Sequence, residues 1–332
     1  MSKRISDEEF IDAWNRLGSP SAVAKYLKMA TRAAASRRRS MEKKYGISLP
    51  SVIPPTSNTS KKTIVGNAIT KLSEDRARRY ETEMHVDVSD AIVLIASDAH
   101  YWPQIVTPAH EAFCKLVKSL SPALVILNGD ILDGARISRH PRSLWEKQPE
   151  LKEEIHAVQD RCGEIERAAG KAKLIRTIGN HDARFENYLC TNAPEMEEMP
   201  GAMLLDYLPR WRAGWAVHVN AESESWTVIR HRPVGGGIHA AYNSALRSGV
   251  NYVHGHLHKL QYTPWGDYRG RRYGVDTGTL AEPKGPQFHY TEAGPLNWAS
   301  GFAVLTFRDG RLLEPEMCVV INGQAYFRGQ RV

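Results

Sequence analysis

The apolar positions of this chain follow two different rhythms. Up to about residue 46 they return every three or four positions, the spacing of a helix face. In ISDEEFIDAWNRLG, Phe10, Ala13, Trp14 and Leu17 share one side, Ser6 and Glu9 form a capping-box signal, and Gly18 supplies a stop. In SPSAVAKYL, Ser19 stands as an N-cap and Pro20 at the first helical position, with Val23, Ala24 and Leu27 as the stripe. The spacing predicts a third helix over ATRAAASRRRSMEKKYG, ended by Gly46, with Ala33, Ala34 and Met41 to pack. From about residue 86 the rhythm changes to short apolar runs of strand length: AIVLIAS, ALVILN, KLIRTI, WTVIRH and VNYVH. Helical patterns fall between the early runs, near 108–120 and 149–170, and the tail from Val275 reads as strand-rich. Strands alternating with helices predict an α/β sandwich.

Between the two regimes, ISLPSVIPPTSNTSKK holds three prolines and little to bury, which is a linker composition. The following NAITKLSEDRARRYETE is polar and reads as a helical connecting arm. The expected organisation is a small all-α module over 1–46, a linker and arm over 47–85, and an α/β domain over 86–332.

The 332 residues are 42% hydrophobic and 24% charged, ordinary for a globular chain with one large core and a small appendage. No apolar run approaches the ~20 residues needed to cross a bilayer. The charged start, MSKRISDEEFIDAW, has no apolar signal segment, and the four scattered cysteines form no CxxC pair. Reduced thiols, a cytoplasmic location, no membrane contact and no disulfide-linked partner are the corresponding expectations.

The net charge of +7 hides an asymmetry: residues 1–80 hold 17 Lys and Arg against 7 Asp and Glu, and residues 81–332 hold 27 against 30. Attraction to polyanions therefore belongs to the front of the chain. Three short helices, the last strongly basic, suggest a helix-turn-helix module with DNA as partner. In the third, Arg32, Ser36, Arg39 and Lys43 are neighbours by helical spacing, with Arg37 and Arg38 to either side. Such a helix can enter a major groove and reach phosphates and guanine edges. A solvated basic helix, or one that binds RNA or protein, is the plainer alternative.

The strand-like runs end in a different chemistry. They lead in turn to Asp98 and His100; to Asn128, Asp130 and Asp133; to Asn180, His181 and Asp182; to His231; and to His254, His256 and His258. Any one cluster is ordinary turn or surface chemistry. Five in succession are not, because active sites of such sheets gather at the carboxyl ends of the strands. Imidazole, amide and carboxylate ligands without thiolate suit Mn, Fe, Zn or Ni better than Mg or Ca.

The motifs DAH at 98–100, GDILD at 129–133, GNHD at 179–182 and GHLH at 255–258 resemble, in order, those of the calcineurin-like metallophosphoesterase family: DxH, GDxxD, GNH[D/E], a single His and GHxH. The resemblance covers roughly residues 86–332. It implies a four-layer αββα sandwich and two divalent metal ions, commonly manganese. Asp98, His100 and His258 would hold one ion; Asn180, His256 and the single His would hold the other; Asp130 would bridge them. His181 would act beside the scissile phosphate as general acid or transition-state stabiliser, oriented by a carboxylate for which Asp182 is a candidate. Both His231 and His239 precede GHLH; His231 is favoured because it ends a strand-like run, whereas His239 follows GGG and is placed to open a helix. Arg184 is a candidate contact to substrate phosphate or an exposed surface residue, and Asp133 reads as a supporting or turn residue. His254 lies outside GHxH and reads as packing or support, and Gly255 is expected to let the backbone turn tightly. GTLAE and NWASGF also resemble bacteriophage-encoded members, in which a similar basic helical module can precede the catalytic domain.

The reaction class so implied is hydrolysis of a phosphate ester. The basic module tips the expected substrate towards DNA, making a metal-dependent nuclease the leading reading. A phosphomonoesterase or phosphoprotein phosphatase is the alternative among enzymes. A DNA-binding regulatory protein with an inactive metal domain is the alternative of another class.

Overall fold

Serine hydroxyls start the first two helices. Ser6 accepts a hydrogen bond from the Glu9 backbone N–H at 3.1 Å and opens α1 (Asp7–Leu17), which Gly18 ends in a left-handed conformation at φ 59°. Ser19 accepts from the Ala22 N–H at 3.2 Å and opens α2 (Pro20–Tyr26). The basic α3 (Thr31–Tyr45) stops at a left-handed Gly46. Phe10, Trp14, Val23, Ala24, Ala34, Met41 and Leu49 close one small core. Ala33, expected to pack, is instead exposed: Ala34 and Met41 are the α3 residues that reach the core.

The computed structural model describes residues 5–49, 80–140, 146–197, 199–292 and 294–332. The chain divides into two compact units, Met1–Ser73 and Glu74–Val332. Residues 50–79 of the expected linker and arm lie outside the described residues. The end of that arm is not helical. The Glu81 N–H donates to the Ala213 carbonyl at 3.1 Å, and its own carbonyl accepts from the Trp215 N–H at 2.8 Å. Sheet pairing satisfies the backbone groups that a helix would have used, so the α/β fold begins ahead of residue 86, with β1 (Met84–Val86).

The second unit has two sheets. The larger is ordered β15 (Gln330–Arg331), β14 (Gln324–Phe327), β13 (Glu316–Ile321), β11 (Gly301–Arg308), β2 (Ala91–Ala96), β3 (Leu124–Asn128), β4 (Lys173–Thr177), β5 (Arg212–Gly214), with β12 (Arg311–Leu312) paired to β11. The smaller is ordered β1, β6 (Ala216–Val219), β7 (Thr227–Arg230), β8 (Asn251–His254), β10 (Gly270–Asp276), β9 (Gln261–Asp267).

Alternation explains why the central runs are apolar throughout. Leu94, Val125 and Leu127 face Phe113 and Leu116 of α4 (Pro108–Leu120) and Ile155 and Val158 of α5 (Leu151–Ala169). Val93, Ile95, Leu124 and Ile126 point the other way, into a core shared with Val217, Val219, Ile229 and Val253 of the smaller sheet. On that sheet's other side α7 (Ala240–Ser248) packs against β8, β9 and β10 through its buried alanines. Both faces of β2 and β3 are therefore dry, the condition that produces unbroken hydrophobic strands. Strands β2, β3 and β4 are mutually parallel, as are β7 and β8. Among the described residues no helix is long and apolar enough to cross a membrane.

One side chain ties the sheets together away from the strand ends that carry the ligands. Asn220, left-handed at φ 51°, accepts from the Val88 N–H at 2.7 Å and donates to the carbonyls of Val88 at 2.7 Å and Gly310 at 3.0 Å. Replacing it by alanine strands buried backbone groups, each costing about 1–3 kcal/mol. Asn220→Ala is expected to lower unfolding stability by about 2–4 kcal/mol, read from urea denaturation; a loss below ~0.5 kcal/mol would contradict this role.

Candidate metal centre

Each ligand-bearing segment follows a buried strand, and the backbone there departs from regular geometry. Asp98, His100, Asp130, His256 and His258 have φ of 53°, 40°, 53°, 70° and 59°. Non-glycine residues in this region cost of order 1–3 kcal/mol each, and persist where the surroundings hold them. Two glycines allow the close approach. A Cβ on Gly179 would lie 2.0 Å from Asp130 Oδ1, and one on Gly255 would lie 2.4 Å from Asp98 Oδ2. Gly255 thus allows close approach to a carboxylate, and the chain turns tightly there, the Leu257 N–H donating to the Gly255 carbonyl at 2.9 Å.

The side chains converge in two groups, Asp98 with His100 and His258, and Asp130 with His231 and His256. Within each group, one ligand atom per residue lies within 4.8 Å of the others. Asn180 sits between Gly179 and His181, both of which press on Asp130, and its Oδ1 is buried without a hydrogen-bond partner. His239 does not join either group; it is exposed at the start of α7.

Hydrogen bonds leave particular nitrogens available. His100 Nδ1 meets Asp133 Oδ1 at 2.9 Å, which leaves Nε2 buried and unpartnered. His231 Nδ1 donates to the Asn128 carbonyl at 2.8 Å, which leaves Nε2 facing Asp130 Oδ2 at 3.1 Å. His258 Nε2 meets Asp98 Oδ1 at 3.1 Å, and its Nδ1 has no partner. Fixing one ring nitrogen by a carbonyl or carboxylate so that the other can coordinate is the usual support of a metal-binding histidine. Buried polar atoms without partners are costly and need an explanation; a cation in each group supplies one, and the donor set fits it.

The electrostatics agree. Burial favours a neutral His231 ring, yet the charges of Asp130 and Asp98 outweigh it and push its pKa up to about 10. Burial would raise the Asp98 carboxyl, but His258 and His231 pull it down to about 2. Concentrated negative charge that calls protons onto imidazoles equally calls divalent cations. His254 behaves differently. Burial lowers its pKa to about 4, its Nδ1 donates to the Gly255 carbonyl at 2.8 Å, and it belongs to neither group.

Asp182 does not orient His181. Its carboxylate accepts backbone N–H groups from Asp130 at 2.9 Å, Ile131 at 3.0 Å, Leu132 at 3.2 Å and Gly179 at 3.0 Å, binding the GDILD loop to the GNHD loop. Heading α6 (Asp182–Asn192), it points back into the core and not towards the ring beside it. Asp133 takes the orienting role. His181 Nδ1 lies 3.2 Å from Asp133 Oδ1 and 3.0 Å from the Asp133 carbonyl. Arg184 donates to that same carbonyl at 2.8 Å and stands 3.1 Å from His181 Nε2, so it is part of the site.

A cavity of about 560 Å³ opens beside His181, lined also by Asn180, Arg184, Trp102, Lys147 and Tyr290. An aromatic wall that the motifs do not announce backs the first ligand group. Phe288 lies 5.1 Å from His100 and Trp298 lies 4.4 Å from His258, ring centre to ring centre. The only sequence signal for it was a pair of aromatics among the turns of the tail.

The basic residues of α3 divide into two sets. Arg37 donates to the Ile5 carbonyl at 2.8 Å and to Asp7 at 3.0 Å, and lies over Phe10. Arg38 donates to Glu42 at 3.0 Å and to the Leu49 carbonyl at 2.7 Å, and lies over Trp14. Arg32, Ser36, Arg39 and Lys43 are exposed.

No family model matches the chain. Its sequence is similar to that of the Gene 54 protein of Mycobacterium phage L5, with 28% identity over 233 residues covering 64% of this chain and 88% of that protein. Among solved structures, Chaetomium thermophilum Vps29 overlaps 73% of this chain and 96% of its own, with 9% identity and a TM-score of 0.38.

The two groups predict unequal damage from histidine substitution. His256→Ala and His258→Ala should each lose one equivalent of Mn²⁺ in equilibrium dialysis, whereas His254→Ala should retain the wild-type stoichiometry. Equal losses from all three would refute the grouping.

Proposed function

We propose that this protein is a dinuclear metal-dependent phosphoesterase of the calcineurin-like kind, and that it cleaves phosphodiester bonds in DNA. The observation that carries the reading is the convergence of Asp98, His100 and His258 with Asp130, His231 and His256 at successive strand ends, with unpartnered nitrogens buried among carboxylates. Two divalent ions held there, manganese being the leading choice, would clamp phosphoryl oxygens and make a nearby water more acidic. Asp130 would be the ligand they share.

The chain's own groups supply the rest. Asp133 holds the His181 ring through Nδ1, which directs Nε2 to the Arg184 side. Burial lowers the proton affinity of that ring, but the bond to Asp133 and the charges of Asp130 and Asp133 outweigh it and raise its pKa. A ring so charged can donate a proton from Nε2 to the departing oxygen. Arg184, anchored on the Asp133 carbonyl, can turn its other nitrogen from the protonated ring to a phosphoryl oxygen.

DNA is favoured over other phosphate esters by the exposed row of Arg32, Ser36, Arg39 and Lys43. A nucleic-acid-binding module on the same chain raises the local concentration of its ligand around the catalytic unit. Arg37 and Arg38, bonded within the module, would contribute mainly to its stability.

The test is to incubate Mn²⁺-loaded protein with linear, circular and single-stranded DNA and with p-nitrophenyl mono- and diesters, using Asp130→Asn as the inactive control. DNA cleavage lost in the control is expected; rapid monoester turnover without DNA cleavage would identify a phosphatase, and no hydrolysis despite tight DNA binding would favour a regulatory protein. The combined variant Arg32→Ala, Arg39→Ala, Lys43→Ala should weaken DNA binding and reduce the slope of log K against log salt concentration by about 0.9 per lost phosphate contact. Unchanged affinity and slope would remove α3 as the DNA reader.

A further inference from the structure

Away from the ligand-bearing strand ends, a second constellation of metal-ligating side chains lies at the edge of the smaller sheet. Strand β1 alternates Met84 and Val86 into the core between the sheets, so Glu83 and His85 share the opposite face. The neighbouring β6 does the same with Val217 and Val219 inward. Parallel pairing sets His85 directly beside His218. A carboxylate and two imidazoles thus meet on one outer patch, contributed by two strands.

The side chains are close enough to share an ion. Each of Glu83, His85 and His218 offers a ligand atom within 4.8 Å of the other two. His85 Nε2 is 3.5 Å from Glu83 Oε2, and the His85 and His218 rings are 5.1 Å apart between centres. A second observation is independent of that proximity. His218 is only 9% exposed, with Trp226 against its ring, and its Nδ1 is buried without a hydrogen-bond partner. A buried imidazole nitrogen left unmatched is a cost that folding ordinarily avoids, and it leaves the ring uncommitted to any protein acceptor.

We propose that Glu83, His85 and His218 form a separate site for a divalent transition-metal ion. Two imidazoles and one carboxylate suit Zn²⁺, Ni²⁺ or Cu²⁺, with water completing the coordination, and suit Mg²⁺ or Ca²⁺ poorly. None of the three residues belongs to the ligand groups at the strand ends. The ion would act as a clip. Strand β1 is an edge strand of three residues whose ladder is made to β6 alone, with Met84 and Val86 in the core and Val88 bonded to Asn220. An ion bound by Glu83 and His85 on one strand and His218 on the other would fasten that edge to the sheet.

The test uses the full chain freed of metal by chelation, then dialysed against Zn²⁺, with His85→Ala and Glu83→Gln alongside wild type. The His85 side chain is 59% exposed, so its removal leaves the core intact. Wild type should bind one equivalent of Zn²⁺ more than His85→Ala, and Glu83→Gln should bind that equivalent at least tenfold more weakly. Zinc should also raise the unfolding midpoint of wild type further than that of His85→Ala, while Mn²⁺-dependent hydrolysis is the same in both. Identical zinc stoichiometry and affinity in wild type and His85→Ala would overturn the site, and equal zinc-induced midpoint shifts would overturn the clip.

Discussion

The Asp182 carboxylate holds the ligand loops in place. It sits at the head of a helix, buried, and accepts four backbone N–H groups drawn from the loops that follow β3 and β4. Charge-assisted hydrogen bonds in a dry setting are among the stronger polar interactions available to a protein. Here they fix Asp130, whose own Oδ1 accepts the His181 N–H at 2.7 Å. The loops are therefore laced in both directions. Asp98 does the same across the sheets, taking the His256 N–H at 2.9 Å. Carboxylates that would otherwise repel one another are kept close by backbone dipoles before any cation arrives.

That lacing explains how the site tolerates so many local violations. Five candidate ligand residues adopt left-handed backbone, and several buried nitrogens lack partners. Each is a cost, and such costs gather where function requires a preorganised arrangement. The stability that offsets them comes from strands β2 and β3, buried on both faces between two helices and the second sheet. A rigid floor with strained, charged ends suits the proposed binding of cations, because ligands that are already in place lose little entropy on binding.

Much of this was legible in the chain, for physical reasons that differ by element. Strands β2 and β3 announced themselves because burial on both faces demands unbroken apolar runs, β4 and β8 as shorter runs that carry Arg176 and Asn251, and the candidate ligand positions followed as the residues at or just beyond each run. His231 could be preferred to His239 on the same logic. The helical module was readable from Ser6, Ser19, Gly18 and Gly46, whose capping roles are local. What escaped depends on contacts between distant segments. Asp182, next to His181 in sequence, is the candidate orienter and Asp133 only a supporting or turn residue until the loops are folded; then Asp182 faces backbone amides and Asp133 faces His181. Residues 80–83 close a segment of helical composition, but Glu81 pairs with Gly214 at the sheet edge. Phe288 and Trp298 meet His100 and His258 only through the path of the tail. His85 and His218 are more than a hundred residues apart, and only the register of β1 on β6 makes them neighbours.

The central claim is that the strand ends hold two cations side by side. Diffraction from crystals grown with Mn²⁺, recorded at the manganese absorption edge, tests it directly. The account predicts two anomalous peaks about 3.5–4 Å apart, one contacted by Asp98, His100 and His258, the other by Asn180, His231 and His256, with Asp130 reaching both. No peak there, or a single peak that leaves either group of ligands untouched, would contradict it.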